Sequence, residues 1–414
     1  MVFKSFFYRI YQSALLNIMH MARYNNKVIS GKGTVYYIPD ILKKQGIRKI
    51  LVITGPHILK SDIFKTVIET FKNKNLDFVL FYGTSPETGI GSVERAKKLY
   101  IKKGCSAIVA IGGGSVIDCA KAAAGGIANP GKNISRLSGY QKVRKKIPVI
   151  VAVPTTAGTG AETTACAVIK DINGHKKIIA DTKISPKYAV LDPLMTQNLP
   201  QDLTAYTGMD ALTHATESYI NMYSFKNARK DAETAVKLIV ENITSVYYNN
   251  GGINARQNML EASYLAGRAF TRTSLGYVHA ISHAIGSKYY LPHGMVVSVV
   301  LPYVLEWYGR CIYKNLAQLS DISGISKTGM SEVQKAKAYI SFIKMLDHRF
   351  GINTSFYKAL ENSAKKTGIS KKECKDIARC ALAEANPCYP VPKIMNLREC
   401  ECLVYRILNP QQTG

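Results

Sequence analysis

The first half of the chain alternates short, almost continuous apolar runs with amphipathic helical stretches. Such runs are typical of strands buried on both faces, and helices between them are typical of parallel sheets. The predicted strands are Lys49–Thr54, Phe78–Tyr82, Ala107–Ile111 and Ile147–Val153, and the predicted helices between them are Ser61–Asn73 and Ser92–Lys103. The pattern therefore predicts a Rossmann-like α/β domain, whose ligands bind beyond the carboxyl ends of the strands.

Two turns rich in small residues follow predicted strands at that edge. Gly112–Ser115 (GGGS) lies between a strand and a helix predicted to start near Val116. Backbone N–H groups without side chains can approach a pyrophosphate closely at a helix N-terminus. Asp118 either adds a polar group for the ligand or compensates the helix dipole. The second turn, Pro154–Thr163 (PTTAGTGAET), offers hydroxyl groups to a ribose or carboxamide, and the alternative is an ordinary polar loop.

The β-branched runs stop after Leu191-Asp192-Pro193, and from about Pro200 onward the sequence predicts helices. A chain of 414 residues is also too long for one ordinary core. We predict a basic helical extension over residues 1–27, an α/β dinucleotide-binding domain over 28–200 and an all-helical metal-binding domain over 201–414. A cofactor on one domain and a metal in the other would face each other across a cleft.

Imidazole and carboxylate groups recur at helical spacing in the second half. Asp210 and His214 are four residues apart, as are His279 and His283, and His293 follows in a Pro-His-Gly sequence. Residues four apart share one face of a helix. A single histidine of this kind is more often a core or surface residue, so the prediction rests on the combination. One carboxylate and three or four imidazoles suit Fe(II) or Zn(II) with a coordination position open for chemistry.

The chain is strongly basic, with 55 Lys and Arg against 28 Asp and Glu and a formal charge of +27. This balance favours anionic ligands. The basic residues are mostly scattered, and the densest cluster, Lys142–Lys146, has neither aromatic interleaving nor zinc-finger spacing. We therefore predict no nucleic-acid partner and interpret the charge as a solvated surface that helps to attract a phosphate-bearing cofactor.

Compartment and membrane association follow from composition. No apolar run reaches the ~20 residues that span a bilayer, and nine dispersed cysteines favour a reducing cytoplasm over a disulfide framework. Residues 1–25 are basic and lack acids, as in targeting or membrane-surface helices. Because Gln12, Ser13 and Asn17 interrupt their apolar stretch, we predict that this segment packs on its own protein or on a partner subunit.

Four motifs, taken together, resemble a known family. GGGSVIDCAK (112–121), PTTAGTGAET (154–163), GMDALTHATES (208–218) and GYVHAISHAIGSKYYLPHG (276–294) resemble, in this order, the signatures of the iron-containing (group III) alcohol dehydrogenases. The resemblance extends from about Val28 to the end. It implies a dehydroquinate synthase-like architecture, a homodimer, and metal-dependent hydride transfer between the C4 atom of NAD(P) and a small primary alcohol or aldehyde.

The resemblance also assigns site residues. The implied metal ligands are Asp210, His214, His279 and His293. His283 resembles the family's additional histidine near the metal, which implies a role beside the ligands or in a proton path. The implied cofactor-binding residues are Gly113, Gly114, Ser115, Asp118, Thr155, Thr156, Thr159 and Lys177. Phe270 resembles an aromatic wall of the substrate pocket, with core packing as the alternative.

One departure concerns the choice of cofactor. Many members end the first strand with an acid that binds the adenosine ribose and repels a 2′-phosphate, whereas this chain has Thr54-Gly55. NADP(H) use, or dual use, is therefore expected.

Two other functions remain open at this point. Glycerol and polyol-phosphate dehydrogenases share the fold. A dehydroquinate synthase-like lyase would show no net hydride transfer to free cofactor.

Overall fold

The computed structural model describes residues 6–14, 26–84, 88–172, 174–248, 251–364 and 368–410. The chain divides into two compact units. The sheet unit comprises Ala22–Leu199 and Gly251–Gly267, and the helical unit comprises Met1–Met21, Pro200–Asn250 and Arg268–Gly414.

Each strand and helix predicted between residues 49 and 153 is present, in the predicted order. The helices are α1 (residues 6–14), α2 (Ile38–Lys43), α3 (Pro56–Leu59), α4 (Asp62–Asn73), α5 (Ile90–Lys102), α6 (Gly114–Ala128), α7 (Gln201–Ile220), α8 (Lys226–Tyr247), α9 (Gly252–Thr273), α10 (Tyr277–Tyr289), α11 (His293–Tyr308), α12 (Tyr313–Ile322), α13 (Glu332–Arg349), α14 (Ile352–Ala364), α15 (Lys371–Ala385) and α16 (Leu397–Leu408). The strands are β1 (Lys27–Ser30), β2 (Lys49–Thr54), β3 (Asp77–Phe81), β4 (Ala107–Gly112), β5 (Gly139–Tyr140), β6 (Val149–Pro154), β7 (Cys166–Lys170), β8 (Lys176–Ala180) and β9 (Tyr188–Leu191).

The sheet unit is built on a six-stranded parallel sheet in the order β1-β9-β6-β4-β2-β3. Both of its faces are buried, because alternate residues of a strand point to opposite sides. In β2, Leu51 and Ile53 pack into one apolar core, and Ile50 and Val52 pack into the other. This arrangement confirms the predicted parallel α/β fold.

A second, smaller sheet was not predicted. It has the order β5-β8-β7, with β7 and β8 antiparallel. Its strand β8 reads KKIIA, and two lysines in five residues conceal a strand from a search for apolar runs.

The helical unit contains most of the helices from α7 onward, as the sequence predicts. The first part of α9 clusters with the sheet unit instead. The reason is a close backbone approach: a Cβ atom on Gly160 would lie 2.6 Å from the Cα atom of Gly267. Gly160 also has a φ of +59°, in the left-handed region that favours glycine.

One apolar helical stretch, His293–Ile322, has the length and composition to cross a membrane. Within its most apolar window, 67% lies buried inside the protein. A core helix of the helical unit has the same properties, since it is apolar all round.

Helix α1 presents its apolar side to solvent and its polar side to the protein. Phe6, Phe7, Ile10 and Tyr11 are exposed, whereas Gln12 is completely buried. Residues 1–5 and 15–25 of the predicted extension lie outside the described residues.

Candidate metal centre and cofactor turns

The four predicted metal ligands lie together in the helical unit. Helix α7 carries Asp210 and His214 one turn apart, α10 carries His279, and His293 is the first residue of α11. One carboxylate oxygen, Asp210 Oδ1, lies 3.6 Å from His279 Nε2, 3.5 Å from His293 Nε2 and 3.9 Å from His214 Nδ1. One carboxylate oxygen therefore lies within 3.9 Å of one nitrogen atom of each of three imidazole rings.

These groups fit a divalent cation. Asp210, His279 and His293 each offer one ligand atom, and these atoms lie within 4.8 Å of one another. Asp210 Oδ1 and His279 Nε2 are buried without a hydrogen-bond partner among the described residues. Burying polar atoms in this state is costly. A bound Fe(II) or Zn(II) ion would satisfy both atoms, because both ions accept carboxylate and imidazole ligands.

His214 lies between two other rings. Its imidazole stacks on Phe270 at a centroid distance of 4.3 Å and on His279 at 4.4 Å. Phe270 is itself buried. This contact gives Phe270 a packing role beside the metal centre, and the predicted role as a wall of the substrate pocket remains a prediction.

The imidazoles determine the charge on the aspartate. Burial raises the pKa of Asp210, but the electrostatic attraction of His214, His293 and His279 outweighs burial and holds the pKa below its ordinary value. For His279, burial lowers the pKa, whereas the neighbouring carboxylates of Asp210 and Glu217 raise it to about 9. Asp210 is therefore a carboxylate at neutral pH.

Glu217 is a functional residue that the sequence reasoning missed. It is buried, and its Oε2 lies 2.6 Å from His279 Nδ1. It also accepts the backbone N–H groups of Gly276 at 2.9 Å and Val278 at 2.7 Å. A carboxylate on the far nitrogen of a histidine orients its ring and keeps the near nitrogen available to a metal. A signal was present, since Glu217 follows Asp210 by seven residues, about two helical turns.

Two glycines allow the ligand-bearing helices to approach each other. A Cβ atom on Gly276 would lie 2.4 Å from Glu217 Oε1, and one on Gly294 would lie 2.4 Å from the carbonyl oxygen of Tyr206. A side chain at either position would therefore push α10 or α11 away from α7. The glycines of the Gly-x-x-His and His-Gly sequences are therefore local requirements of the candidate metal centre.

His283 lies beside the four ligands and has a carboxylate partner of its own. Its ring centroid is 5.0 Å from that of His293. Its Nδ1 atom lies 2.7 Å from Glu384 Oε1 on α15. Glu384 could not be recognised from the sequence, because the two residues are 101 positions apart.

In the sheet unit, the two glycine-containing turns lie against each other. Strands β4 and β6 are neighbours in register, with Gly112 opposite Pro154. A Cβ atom on Gly114 would lie 2.9 Å from Thr159 Cγ2, and one on Gly113 would lie 3.4 Å from Thr156 Cγ2. The turns therefore form one surface at the carboxyl ends of two central strands, next to the N-terminus of α6.

Thr155 and Ser115 belong to the same surface through their backbones. The N–H group of Thr155 donates to the carbonyl of Gly112 at 3.1 Å. The carbonyl of Ser115 accepts from Thr88 Oγ1 at 2.6 Å.

Asp118 and Lys177 have protein partners. Asp118 accepts the N–H group of Val168 in β7 at 2.9 Å and lies 3.6 Å from the buried ammonium group of Lys121. Lys177, on β8, lies 3.7 Å from Asp171. These contacts tie α6 to the small sheet, and cofactor binding by Asp118 and Lys177 remains a prediction.

Comparison with known families identifies the class of protein. The profile for "Iron-containing alcohol dehydrogenase" matches residues 25–193, and the profile for "Fe-containing alcohol dehydrogenase family, C-terminal" matches residues 204–405. The chain therefore belongs to the iron-containing alcohol dehydrogenase family and is an oxidoreductase. This confirms the predicted family and enzyme class.

Individual relatives agree with this assignment. The chain is 34% identical over 329 residues to an NAD-dependent methanol dehydrogenase from Bacillus methanolicus, covering 79% of this chain and 86% of that enzyme. It is 30% identical over 359 residues to a 1,3-propanediol dehydrogenase from Citrobacter freundii, covering 86% and 90%. A crystal structure of a 1,3-propanediol oxidoreductase matches 94% of this chain and all of that chain at 28% identity, with a TM-score of 0.87.

Proposed function

We propose that the chain oxidises a small primary alcohol with NAD(P) and reduces the corresponding aldehyde in the reverse direction. The observation that carries this proposal is a compact group of one carboxylate and three imidazoles in a chain of this family, with Asp210, His214 and His279 buried and His293 partly exposed. These four residues would hold Fe(II) or Zn(II). When bound, the metal supplies Lewis acidity to the alcohol oxygen, and the nicotinamide accepts hydride from the adjacent carbon.

The chain's own residues prepare the centre for these groups. Asp210 provides a buried negative charge for a cation, since its pKa is held below the ordinary value. Glu217 holds the ring of His279 in one orientation. Phe270, stacked on His214, adds apolar surface beside the ligands, and apolar surroundings strengthen the electrostatic interactions in a site.

The glycine turns of the sheet unit would bind the cofactor. In this proposal Gly113, Gly114 and Ser115 hold the pyrophosphate at the N-terminus of α6, and Thr155, Thr156 and Thr159 contact the stretch from adenosine to nicotinamide. In the same proposal, Lys177 and Asp118 add polar contacts to the cofactor at the margin of this surface. The contact between the two turns supports a single continuous surface.

His283 would move a proton between the reacting group and solvent. Its ring lies next to His293, it is partly exposed, and its Nδ1 is paired with Glu384. Imidazole is suited to this task near neutral pH.

NADP(H) use would follow from Gly55. A Cβ atom there would meet only Thr84 Oγ1 and Val116 Cγ2, both at 3.8 Å, so the position has room for a side chain. An aspartate at this position would restore the negative charge with which many family members repel the 2′-phosphate of NADP(H).

We further propose a cytoplasmic homodimer with no nucleic-acid partner. The boundaries at residues 27 and 200 remain predictions. The methanol and 1,3-propanediol dehydrogenases among the relatives favour short alcohols and diols over a lyase reaction.

The experiment is the oxidation of NADH and NADPH by the Fe(II)-loaded protein with short aldehydes, including formaldehyde and 3-hydroxypropanal. We expect turnover that Asp210→Asn abolishes. We also expect Gly55→Asp to raise the KM for NADPH at least tenfold and to leave NADH use intact, with Gly55→Ala as the matched control. A metal-loaded protein that oxidises neither cofactor would contradict the proposal.

A further inference from the structure

His283 is fixed by a carboxylate from a distant helix. Its Nδ1 atom lies 2.7 Å from Glu384 Oε1, at the end of α15. A carboxylate accepts hydrogen bonds only, so this contact places the ring proton on Nδ1 and leaves Nε2 as the acceptor. Glu384 thereby sets both the orientation and the tautomer of His283.

The same carboxylate oxygen receives a second hydrogen bond. The hydroxyl group of Tyr389 donates to Glu384 Oε1 at 2.8 Å, and Tyr389 is buried. Two donors from different elements therefore meet at one atom of Glu384. Tyr389 lies beyond the end of α15, in the segment that precedes α16.

Helix α1 holds this segment in place. Gln12, which is 0% exposed, donates from Nε2 to the carbonyl oxygen of Tyr389 at 2.8 Å. Arg9 donates to the carbonyl oxygens of Val391 at 2.7 Å and Pro392 at 3.2 Å. Three consecutive polar contacts then connect α1 to the candidate proton carrier: Gln12 to Tyr389, Tyr389 to Glu384, and Glu384 to His283.

We infer that Gln12 of α1, together with Tyr389 and Glu384, acts as a positioning residue for His283. Helix α1 precedes the region that the family profiles match, which begins at residue 25, whereas His283, Glu384 and Tyr389 lie within the C-terminal match. The inference rests on the proposed function of His283.

The burial pattern of α1 supports this assignment. A helix that serves only as a cover would bury its apolar residues, but here the buried side chain is an amide and the exposed ones include Phe6 and Phe7. Buried polar contacts of this kind specify one geometry, because a displaced partner leaves an unsatisfied group away from water.

The test combines kinetics with crystallography on the full, metal-loaded chain. We expect Glu384→Ala to lower kcat at least tenfold with an alcohol KM within twofold of the wild type and unchanged metal content. Glu384→Gln should recover most of kcat, because an amide oxygen still accepts the Nδ1 proton. Tyr389→Phe and Gln12→Leu should each lower kcat about threefold to fivefold, and the double variant should be no slower than the slower single one.

Two matched controls lie on the same helices. Phe7→Ser changes the exposed side of α1, and Arg379→Ala removes an exposed ion pair with Asp376 on α15. Both should leave kcat unchanged. An equal loss of kcat in Phe7→Ser and Gln12→Leu would show that α1 only stabilises the fold, and it would overturn the inference.

Crystal structures separate this inference from the proposed function. In Tyr389→Phe and Gln12→Leu, the distance from His283 Nδ1 to Glu384 should exceed 3.5 Å. An unchanged contact in both variants overturns the inference, whatever the activity. A wild-type enzyme without turnover, or His283→Ala with full turnover, would instead refute the catalytic role on which the inference rests.

Discussion

At the scale of single residues, Asp347 shows what a buried carboxyl group costs. It is 0% exposed, accepts one hydrogen bond from Ser298, and its Oδ2 has no hydrogen-bond partner among the described residues. Burial raises the pKa of Asp347 to about 8. In the unfolded chain the pKa would be about 3.9. Between these values the folded protein therefore binds one more proton than the unfolded chain.

This difference predicts the direction of a pH dependence. Stability falls as pH rises wherever the folded state binds more protons, here by up to about 1.4 kcal/mol per pH unit between roughly pH 4 and 8. Asp347→Asn removes the titration and keeps an acceptor for Ser298. We expect the free energy of unfolding, measured with urea, to fall less from pH 5 to pH 8 in this variant than in the wild type. At pH 8 the variant should be the more stable of the two proteins.

The matched control is Asp376→Asn, because Asp376 lies in an exposed ion pair with Arg379. It should leave the pH slope unchanged. Parallel slopes for Asp347→Asn and the wild type would show that Asp347 is ionised in the folded protein at neutral pH.

At the scale of elements, the geometry of the candidate metal centre depends on how α10 packs against α7. Glu217 of α7 accepts hydrogen bonds from the first residues of α10 and from His279. The N-terminus of α10 carries a partial positive charge, which a carboxylate stabilises. One side chain therefore fixes both the position of the helix and the orientation of a ligand.

Glu217→Gln tests this double role. The amide retains one acceptor oxygen, but its NH₂ group must face a backbone or imidazole N–H donor. We expect metal affinity to fall by roughly 10- to 100-fold, the usual cost of losing such a partner. A zinc titration against a competing chelator measures the change.

Glu241→Gln on the exposed side of α8 is the control, since Glu241 forms a surface ion pair with Lys237 and lies in no part of the candidate metal centre. A Glu217→Gln protein that binds zinc as tightly as the control would show that the ring of His279 is held by packing alone.

At the scale of the whole molecule, the dominant physical fact is the formal charge of +27. Like charges repel each other and destabilise the compact state. Salt weakens this repulsion, because at 0.1 M ionic strength exposed charges more than about 10 Å apart are largely screened from each other. The exposed lysines Lys142, Lys145 and Lys146 contribute to it.

Salt should therefore stabilise the protein. We expect the apparent Tm to rise by a few degrees between 10 and 300 mM NaCl in differential scanning fluorimetry. Replacing Lys142, Lys145 and Lys146 by glutamate should raise the Tm at low salt and reduce the response. A Tm that is independent of salt would show that ion pairs already balance the charge locally.

The sequence predicted the parts of this molecule that local spacing determines. Asp210 with His214, and the glycine turn directly after β4, are recognisable because their chemistry lies within one or two helical turns or at one strand end. Glu384 was not recognisable, since its distance from His283 along the chain leaves no periodic signal. Strand β8 was missed because two of its five residues are lysines and it buries only Ile179 fully, so it shows no continuous apolar run.

Helix α1 has a practical consequence for handling this protein. Four bulky apolar side chains, Phe6, Phe7, Ile10 and Tyr11, face water near the start of the chain, and apolar groups at a surface adsorb to other apolar surfaces. Phenyl resin should therefore retain intact molecules longer than proteolysed ones that have lost these residues. Chromatography would then sort a preparation by the integrity of its first dozen residues before any assay is run.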